Sequence, residues 1–523
     1  MIMENSLKKS VYLKSVLVIF IMAIVTAILQ GNPYTSVEAG ADRQLQIVLF
    51  FALSLGSVGL CYREYLAGLL STEKKIIWTV AFGTLVRMFY VLFMNIWTLQ
   101  NDGGVFTGFG TPDINNGHIG YIEYIYKFFH LPDMDPYDHF GYYHPPLHHI
   151  IEAVWLTIQR FIGVPEALAF ENLQVPTLIY SALCMVVMLH ILEESGVKEK
   201  HLLYGLMLFA FHPRMMVLAG SVNNDILALL LLLTTIWRTL AWIRKKSCLN
   251  IILIALSLGF GMLSKLNTAI CAFSIALVFL CYLIYCIKDG NLIELRDCLI
   301  QYVIFAVIAI PIGLAYIVRN ILLFGEKPGI PSPALIPNES VMFTGDYSVW
   351  SIIGIPSIWD LHVEFPFHPL SAKAIHNTWV ILFQTGLFAE AFPTEINDYL
   401  LSFAQIAYVA SILLATVTTV VFIVSYFIKL RQNQSMRLKT TFLLFTYIFM
   451  LVSFGLYVFK YPYTCSSDFR YMTASLVFTS LGFVVVNEGF DGMFTRWVKY
   501  ITNFAMAMTL ICSMIVYMFW DLH

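Results

Sequence analysis

The residues able to do chemistry gather in a few short stretches between long apolar runs. The first stretch contains Asn101-Asp102-Gly103-Gly104, Thr111-Pro112-Asp113-Ile114-Asn115-Asn116-Gly117-His118 and Tyr121-Ile122-Glu123-Tyr124. It ends at Tyr142-Tyr143-His144-Pro145-Pro146-Leu147-His148-His149. Asp113 follows a proline and precedes Tyr and Ile residues at helical spacing, so its carboxylate falls near a helix start. There it could take a proton from a hydroxyl, or simply cap the helix. Asp102 is a second carboxylate in the same stretch. His144 and His148 have the spacing of a zinc pair, but the stretch lacks the Glu of HExxH. Histidines that snorkel at a membrane surface are the competing reading, and His144 could donate to a phosphate. Ser221-Val222-Asn223-Asn224-Asp225 begins an apolar run and reads first as a helix cap. Lys265 lies between two apolar runs, Arg319-Asn320 ends another, and Asp468-Phe469-Arg470-Tyr471 begins a further one. Cations at such helix ends often anchor the helix in headgroups. Several at one depth would also suit a lipid-linked phosphate.

The elements that must position these groups follow from composition. The chain has 523 residues, of which 59% are hydrophobic and 12% charged, against about 25% charged in soluble proteins. That excludes a soluble enzyme, a disordered chain and a coiled coil. A net charge of −2 leaves no basic excess for phosphate backbones, so nucleic acid is not an expected partner. The cysteines are scattered and form neither a disulfide framework nor a CxxC knuckle. Gly-rich phosphate loops and GxSxG are missing too, which disfavours nucleotide-driven chemistry.

About thirteen apolar runs are near the ~20 residues that a bilayer requires. They cover roughly 11–30, 46–62, 76–98, 174–193, 201–220, 224–243, 249–264, 266–287, 299–320, 400–428, 440–459, 472–487 and 498–519. The first could be a signal peptide cleaved after Val37-Glu38-Ala39, but a second run follows at once, so an uncleaved span is preferred. Lys74-Lys75, Arg244-Lys245-Lys246 and Lys429 to Lys439 mark cytoplasmic loops by the positive-inside rule. The N-terminus is then cytoplasmic, and the long segments 99–173 and 321–399 are outside. Within 146–163, Leu147, Ile150, Ile151, Val154, Trp155, Ile158, Phe161 and Ile162 form one stripe, which His148, His149, Glu152, Gln159 and Arg160 avoid. This predicts an amphipathic interfacial helix, started by Pro145-Pro146. Arg87 lies mid-span and needs a partner or a cavity, with a structural role preferred.

These motifs, in this order, resemble the GT-C glycosyltransferases, and among them the polyprenyl-phosphate-sugar-dependent branch (protein mannosyltransferase-like, ArnT-like). The match begins with Asp113, His118 and Tyr121, then Tyr143-His144-Pro145-Pro146-Leu147. It continues through Phe211-His212-Pro213, Gly220 with Asn223-Asn224-Asp225, Gly261 with Ser264-Lys265, and Arg319-Asn320 with Phe324-Gly325. It ends with Thr385-Gly386-Leu387-Phe388-Ala389-Glu390 and Asp468-Phe469-Arg470-Tyr471. The resemblance implies an all-α polytopic bundle. Its parts would be two extra N-terminal helices (1–62), a catalytic core (63–320) with outer loop 99–173, a second outer segment (321–399) and C-terminal helices (400–523). It implies transfer of a sugar, with inversion, from a polyprenyl- or dolichyl-phosphate donor to an acceptor hydroxyl on a protein, a lipid or a wall polymer. Asp113 would be the base. The family often has Asp-Glu where this chain has Asp113-Ile114, so Asp102 stays a rival. Lys265, Arg319, Arg470 and His144 would hold the donor phosphate. His118, Tyr143, Asn224, Asp225, Glu390 and Asp468 would orient substrate. No metal and no cofactor is expected, because a lipid phosphate is already a good leaving group. A bacterial plasma membrane is preferred over the endoplasmic reticulum. A transporter or lipid flippase is the competing class, and a non-catalytic membrane subunit a third.

Overall fold

A chain segment inside a bilayer must satisfy every backbone N–H and C=O by itself, which selects helix for each apolar run. The computed structural model describes residues 9–36, 43–98, 117–136, 138–139, 141–325, 354–355, 377–389, 398–461, 463–489 and 493–519, and among these the chain is helical, with no β-strand. Among the described residues nine helices are long and apolar enough to cross a membrane, or up to eleven if each of two bent pairs is one span. Two of the about thirteen runs read from sequence, 46–62 and 249–264, are not among these. The run 249–264 folds as the 17-residue helix Cys248–Ser264, about 25 Å long at 1.5 Å per residue and short of a ~30 Å hydrocarbon core. The run 46–62 lies in the 24-residue helix Arg43–Leu66. The protein is a multi-pass membrane protein.

The chain divides into two compact units, one of residues 1–189, 198–227 and 522–523, the other of 190–197 and 228–521. The first unit contains α1 (Lys9–Gln30), α2 (Arg43–Leu66), α3 (Thr72–Phe93), α4 (Gly117–Phe128), α5 (Leu147–Phe161), α6 (Glu166–Glu171), most of α7 (Gln174–Glu194), α8 (Leu202–Phe211), α9 (Pro213–Gly220) and the start of α10 (Asp225–Arg244). The second continues α10 and adds α11 (Cys248–Ser264), α12 (Ile270–Lys288), α13 (Leu292–Phe324), α14 (Thr378–Phe388), α15 (Asp398–Lys429), α16 (Gln434–Lys460), α17 (Leu476–Glu488) and α18 (Met493–Phe519). Here α15 packs on α17 and α18. Gly482 is required at the first contact, because a Cβ there would stand 2.0 Å from the carbonyl oxygen of Thr418.

Arg87 shows how the first unit tolerates a break. Pro213 cannot donate, so the span formed by α8 and α9 bends by 49° and strands helix-end carbonyls. The fully buried Arg87 guanidinium donates to Ala210 O (2.7 Å), to Gly83 O (2.8 Å) and to Ser181 Oγ (2.8 Å). Ser181 in turn donates to Met215 O (2.6 Å). The mid-span charge therefore closes a helix break, as its structural reading expected. Arg87→Leu should destabilise the protein by on the order of 3 kcal/mol, since buried hydrogen bonds to a charged group are worth ~1.5–3 kcal/mol each. A drop in thermal unfolding temperature in detergent, several times that of a surface substitution such as Lys198→Leu, is the expected result. Equal shifts would refute the role.

A second polar knot ties helix ends together where the loops of interest begin. Gln174, at the start of α7, donates to Met94 O (3.0 Å) and Gly220 O (2.9 Å). Gln30, at the end of α1, donates to Val91 O (3.2 Å) and Gln174 Oε1 (2.9 Å). Asn172 donates to Ala27 O and accepts at its own carbonyl from Trp155 Nε1. Ile96 N donates to Glu171. One network thus sets the directions in which the chain leaves α3 and α9.

Candidate active site

In the first unit the site is built on α4 and α5. Gly117 and Gly141 both hold positive φ (83° and 87°), and a Cβ on Gly141 would come within 2.9 Å of Gly117 backbone. Only glycine permits this close approach. It brings the Tyr142-Tyr143-His144 turn against the start of α4. A column of nearly parallel rings results: Tyr142 on Tyr121 (4.8 Å), Tyr121 on His149 (4.3 Å), His149 on His118 (5.2 Å) and His118 on His144 (5.1 Å). His118 Nδ1 and His149 Nε2 also share a hydrogen bond of 2.9 Å. Two residues assigned from sequence, His118 and His144, therefore meet. Tyr143 lies against His144 (4.6 Å).

The helix α5 is amphipathic as expected, and its polar face turns inward. His148, His149, Glu152 and Gln159 are buried, while Val154, Ile158 and Ile162 are exposed and Phe161 is 90% exposed. This corrects the snorkelling reading of the histidines: they point into the protein, and the greasy stripe points out. Burial pushes the His148 imidazole down to about 3, the neighbouring Asp225 charge acting in the opposite sense. Burial likewise holds His149 well below the ordinary histidine range, helped by His118 and His148, and holds the Glu152 carboxyl well above the usual carboxylate range. Burial thus favours the uncharged form of each of these groups.

At the start of α10 the capping role belongs to Asn223, whose Oδ1 accepts from Asp225 N (3.0 Å). Asn224 and Asp225 are buried beside it. Asp113 and Asp102 lie outside the described residues, as does Glu390.

In the second unit the structure brings together Lys265 and Arg470. Lys265 ends α11, and its Nζ lies 5.0 Å from the Tyr471 ring centre; the Arg470 Cζ lies 5.2 Å from the same centre. The Tyr471 hydroxyl accepts from Tyr457 (3.3 Å). Asp468 is fully buried and caps the turn that carries Arg470, accepting from Arg470 N (2.5 Å). The next residue, Phe469, donates its N–H to Thr385 Oγ1 (2.9 Å) and packs on Gly386. Thr385-Gly386 and Asp468-Phe469, distant in sequence, thus form one joint. Arg319 lies near the Tyr316 and Phe324 rings (5.9 and 5.7 Å) and donates to Asn320.

Sequence reasoning gave no role to Tyr142 or Glu152, named Tyr121 and Tyr471 only as parts of the family match, and weighed His149 only as a metal-binding or snorkelling histidine. The two tyrosines next to assigned residues, Tyr142 and Tyr471, were the available signal. Glu152 gave a different one, a carboxylate on the polar face of a helix whose other face is uniformly apolar.

Ala389, beside Glu390, has φ 59° and ψ −159°. That region is populated almost only by glycine and costs of order 1–3 kcal/mol. Ala389→Gly should therefore stabilise the fold by about 1 kcal/mol, read as a raised unfolding temperature; an unchanged or lower temperature would contradict the strain.

Residues 145–316 match the family described as dolichyl-phosphate-mannose-protein mannosyltransferase. Over these residues the expected resemblance to the protein-mannosyltransferase-like branch is borne out. The matched segment begins at Pro145 and includes α5, Asp225 and Lys265. Among solved structures, the apo Archaeoglobus fulgidus oligosaccharyltransferase is 12% identical with a TM-score of 0.46, over 84% of this chain and 56% of that one. The archaeal oligosaccharyltransferase AglB from Archaeoglobus fulgidus, in complex with an inhibitory peptide and a dolichol-phosphate, is 12% identical with a TM-score of 0.44, over 84% and 55%. ArnT from Cupriavidus metallidurans, bound to undecaprenyl phosphate, is 13% identical with a TM-score of 0.33, over 79% and 78%. The chain spans a little over half the length of the oligosaccharyltransferase. No curated protein matches it in sequence.

Proposed function

We propose that this GT-C-like protein is a membrane glycosyltransferase that moves a sugar from a polyprenyl- or dolichyl-phosphate donor to an acceptor hydroxyl on the outer or lumenal side, with inversion at the anomeric carbon. The observation that carries this reading is the family match, which runs through the motif-bearing segment 145–316. Two features of the chain support it. Lys265 and Arg470 flank one tyrosine ring, a pairing of cations suited to a phosphate. The apolar stripe of α5 faces outward, as a helix lying on a lipid surface requires.

In the reaction, the acceptor oxygen bonds to C1 of the sugar as the C1–O bond to the lipid phosphate breaks. The hydroxyl proton passes to a carboxylate, Asp113 or its rival Asp102. The leaving phosphate gains negative charge, which Lys265 and Arg470 neutralise, with Arg319 and His144 as further candidates. His118, Tyr143, Asn224, Asp225 and Glu390 orient the sugar or these groups; Asp468 acts through the turn that it caps. The N-terminus faces the cytoplasm, since Lys74-Lys75, Arg244-Lys245-Lys246 and the 429–439 loop then lie inside. Arg87, the residue that would most favour a transporter, is occupied by the helix break.

The test uses the purified full chain in liposomes with polyprenyl-phosphate sugars and short hydroxyl acceptors. Release of polyprenyl phosphate together with a glycosylated acceptor is expected. Movement of the donor between leaflets without any cleavage would establish a flippase instead.

A further inference from the structure

The first N–H groups of a helix have no partner within it and must find acceptors elsewhere. In the 3₁₀ turn Phe469–Ser475 the first two belong to Phe469 and Arg470. Asp468, next to them in the chain, takes the Arg470 N–H. The Phe469 N–H goes to a side chain 84 residues away, the Thr385 hydroxyl of α14, at 2.9 Å. Thr385 is 0% exposed and donates its own proton to Ile381 O at 2.8 Å, which turns the oxygen lone pairs to Phe469. The contact is close because residue 386 has no side chain: a Cβ on Gly386 would stand 3.3 Å from the Phe469 ring. The local cap shapes the turn, and the bond from α14 fixes where the turn sits.

We propose that Thr385 is a positioning residue: through the Phe469 N–H it holds Arg470 beside Lys265, where the two cations meet the donor phosphate. This rests on the glycosyltransferase reading and gives a part to the Thr385-Gly386 motif, which the reaction above does not use. Arg470 follows Phe469 directly and Tyr471 follows Arg470, so a shift of the Phe469 amide carries the guanidinium and the ring with it. Lys265 is anchored elsewhere, at the end of α11. The separation of the two cations therefore depends on the place of the turn. A phosphate is sensitive to that separation, because each donor must reach an oxygen within about 3 Å. Valine at 385 has nearly the shape of threonine but no hydroxyl. With it the Phe469 N–H loses its acceptor on α14, and the turn must shift to pair that donor again. The loss falls where charge develops. The leaving phosphate carries more charge than the intact donor, so binding of free polyprenyl phosphate weakens while the donor KM holds.

The experiment compares Thr385→Val and Thr385→Ser in the full chain, reading turnover and, separately, affinity for polyprenyl phosphate. Thr385→Val should lower kcat about tenfold with donor KM within about twofold, and weaken polyprenyl phosphate about tenfold. Serine keeps the hydroxyl and should restore both to within about twofold. Thr378→Val is the control. It makes the same change two turns earlier on the same face of α14, where the bond removed runs to the Ser467 side chain (3.4 Å), and it should leave both values within about twofold. In an Arg470→Met background, Thr385→Val should weaken polyprenyl phosphate no further, because it acts through Arg470. Parental kcat in Thr385→Val, a serine variant as impaired as valine, an equal loss at Thr378→Val, or additive losses with Arg470→Met would each overturn the proposal. If Thr385→Val does not fold, Thr385→Cys takes its place, since sulfur is a weak acceptor, and a cysteine variant as active as serine would then refute it. A parent that binds polyprenyl phosphate but transfers no sugar refutes the transferase reading, and the binding cycle still decides the role of Thr385. A parent that does neither refutes both.

Discussion

Asp113→Asn should lower sugar transfer by roughly 10²- to 10⁴-fold if Asp113 is the proposed base, the contribution of a positioned general base, while KM for the lipid donor should change little. Asparagine keeps the shape and the capping ability of aspartate but cannot accept the hydroxyl proton. The substitution therefore separates the catalytic reading of Asp113 from the helix-cap reading, under which transfer would persist and only stability would fall by about 1 kcal/mol. Asp102→Asn should leave transfer within a few-fold. If the two results are exchanged, Asp102 is the base. If each variant and the double variant all transfer normally, the carboxylate mechanism is wrong, and with it the enzymatic reading of the 101–118 stretch. Turnover should be measured under single-turnover conditions, so that release of the lipid phosphate does not mask the chemical step.

Removing the positive charges on the Tyr471 ring gives the second large effect. Lys265→Met and Arg470→Met should each reduce kcat by roughly 10²-fold, the scale seen when one donor to a developing anion is deleted. The double variant should lose less than the product of the two, because both would act on one phosphate. Arg470→Lys is not a conservative control: the guanidinium offers a planar fork and the ammonium a point charge. Arg319→Met serves as the comparison, since Arg319 rests on Tyr316 and Phe324 rather than on Tyr471. An equal loss at Arg319 would place it with the other two in function. No loss at Lys265 or Arg470 would return them to the bland role of anchoring helix ends in headgroups. Tyr471→Leu removes the ring that both cations share, and it should fall with them.

The sequence by itself determined that the chain is a bundle of membrane helices, because apolar runs of bilayer length admit no other backbone solution. It also determined where the polar breaks fall, and through them the order of motifs that marks the GT-C resemblance. The amphipathic helix of 147–161 was legible from its stripe alone. Its rotation was not. Periodicity says that a helix has two faces, but in a membrane protein the apolar face can turn to lipid and the polar face to the core, and only packing decides between them. Composition alone also could not say whether a 17-residue apolar helix such as Cys248–Ser264 reaches across a bilayer. The fate of Arg87 needed tertiary contacts as well, since its acceptors at Ala210 and Ser181 lie far away in sequence. The ring column of Tyr142, Tyr121, His149, His118 and His144 was hidden for the same reason, because two glycines at positive φ must first bring two turns into contact. Side chains meet through the whole set of backbone directions around them, and that set belongs to the fold and to no single motif.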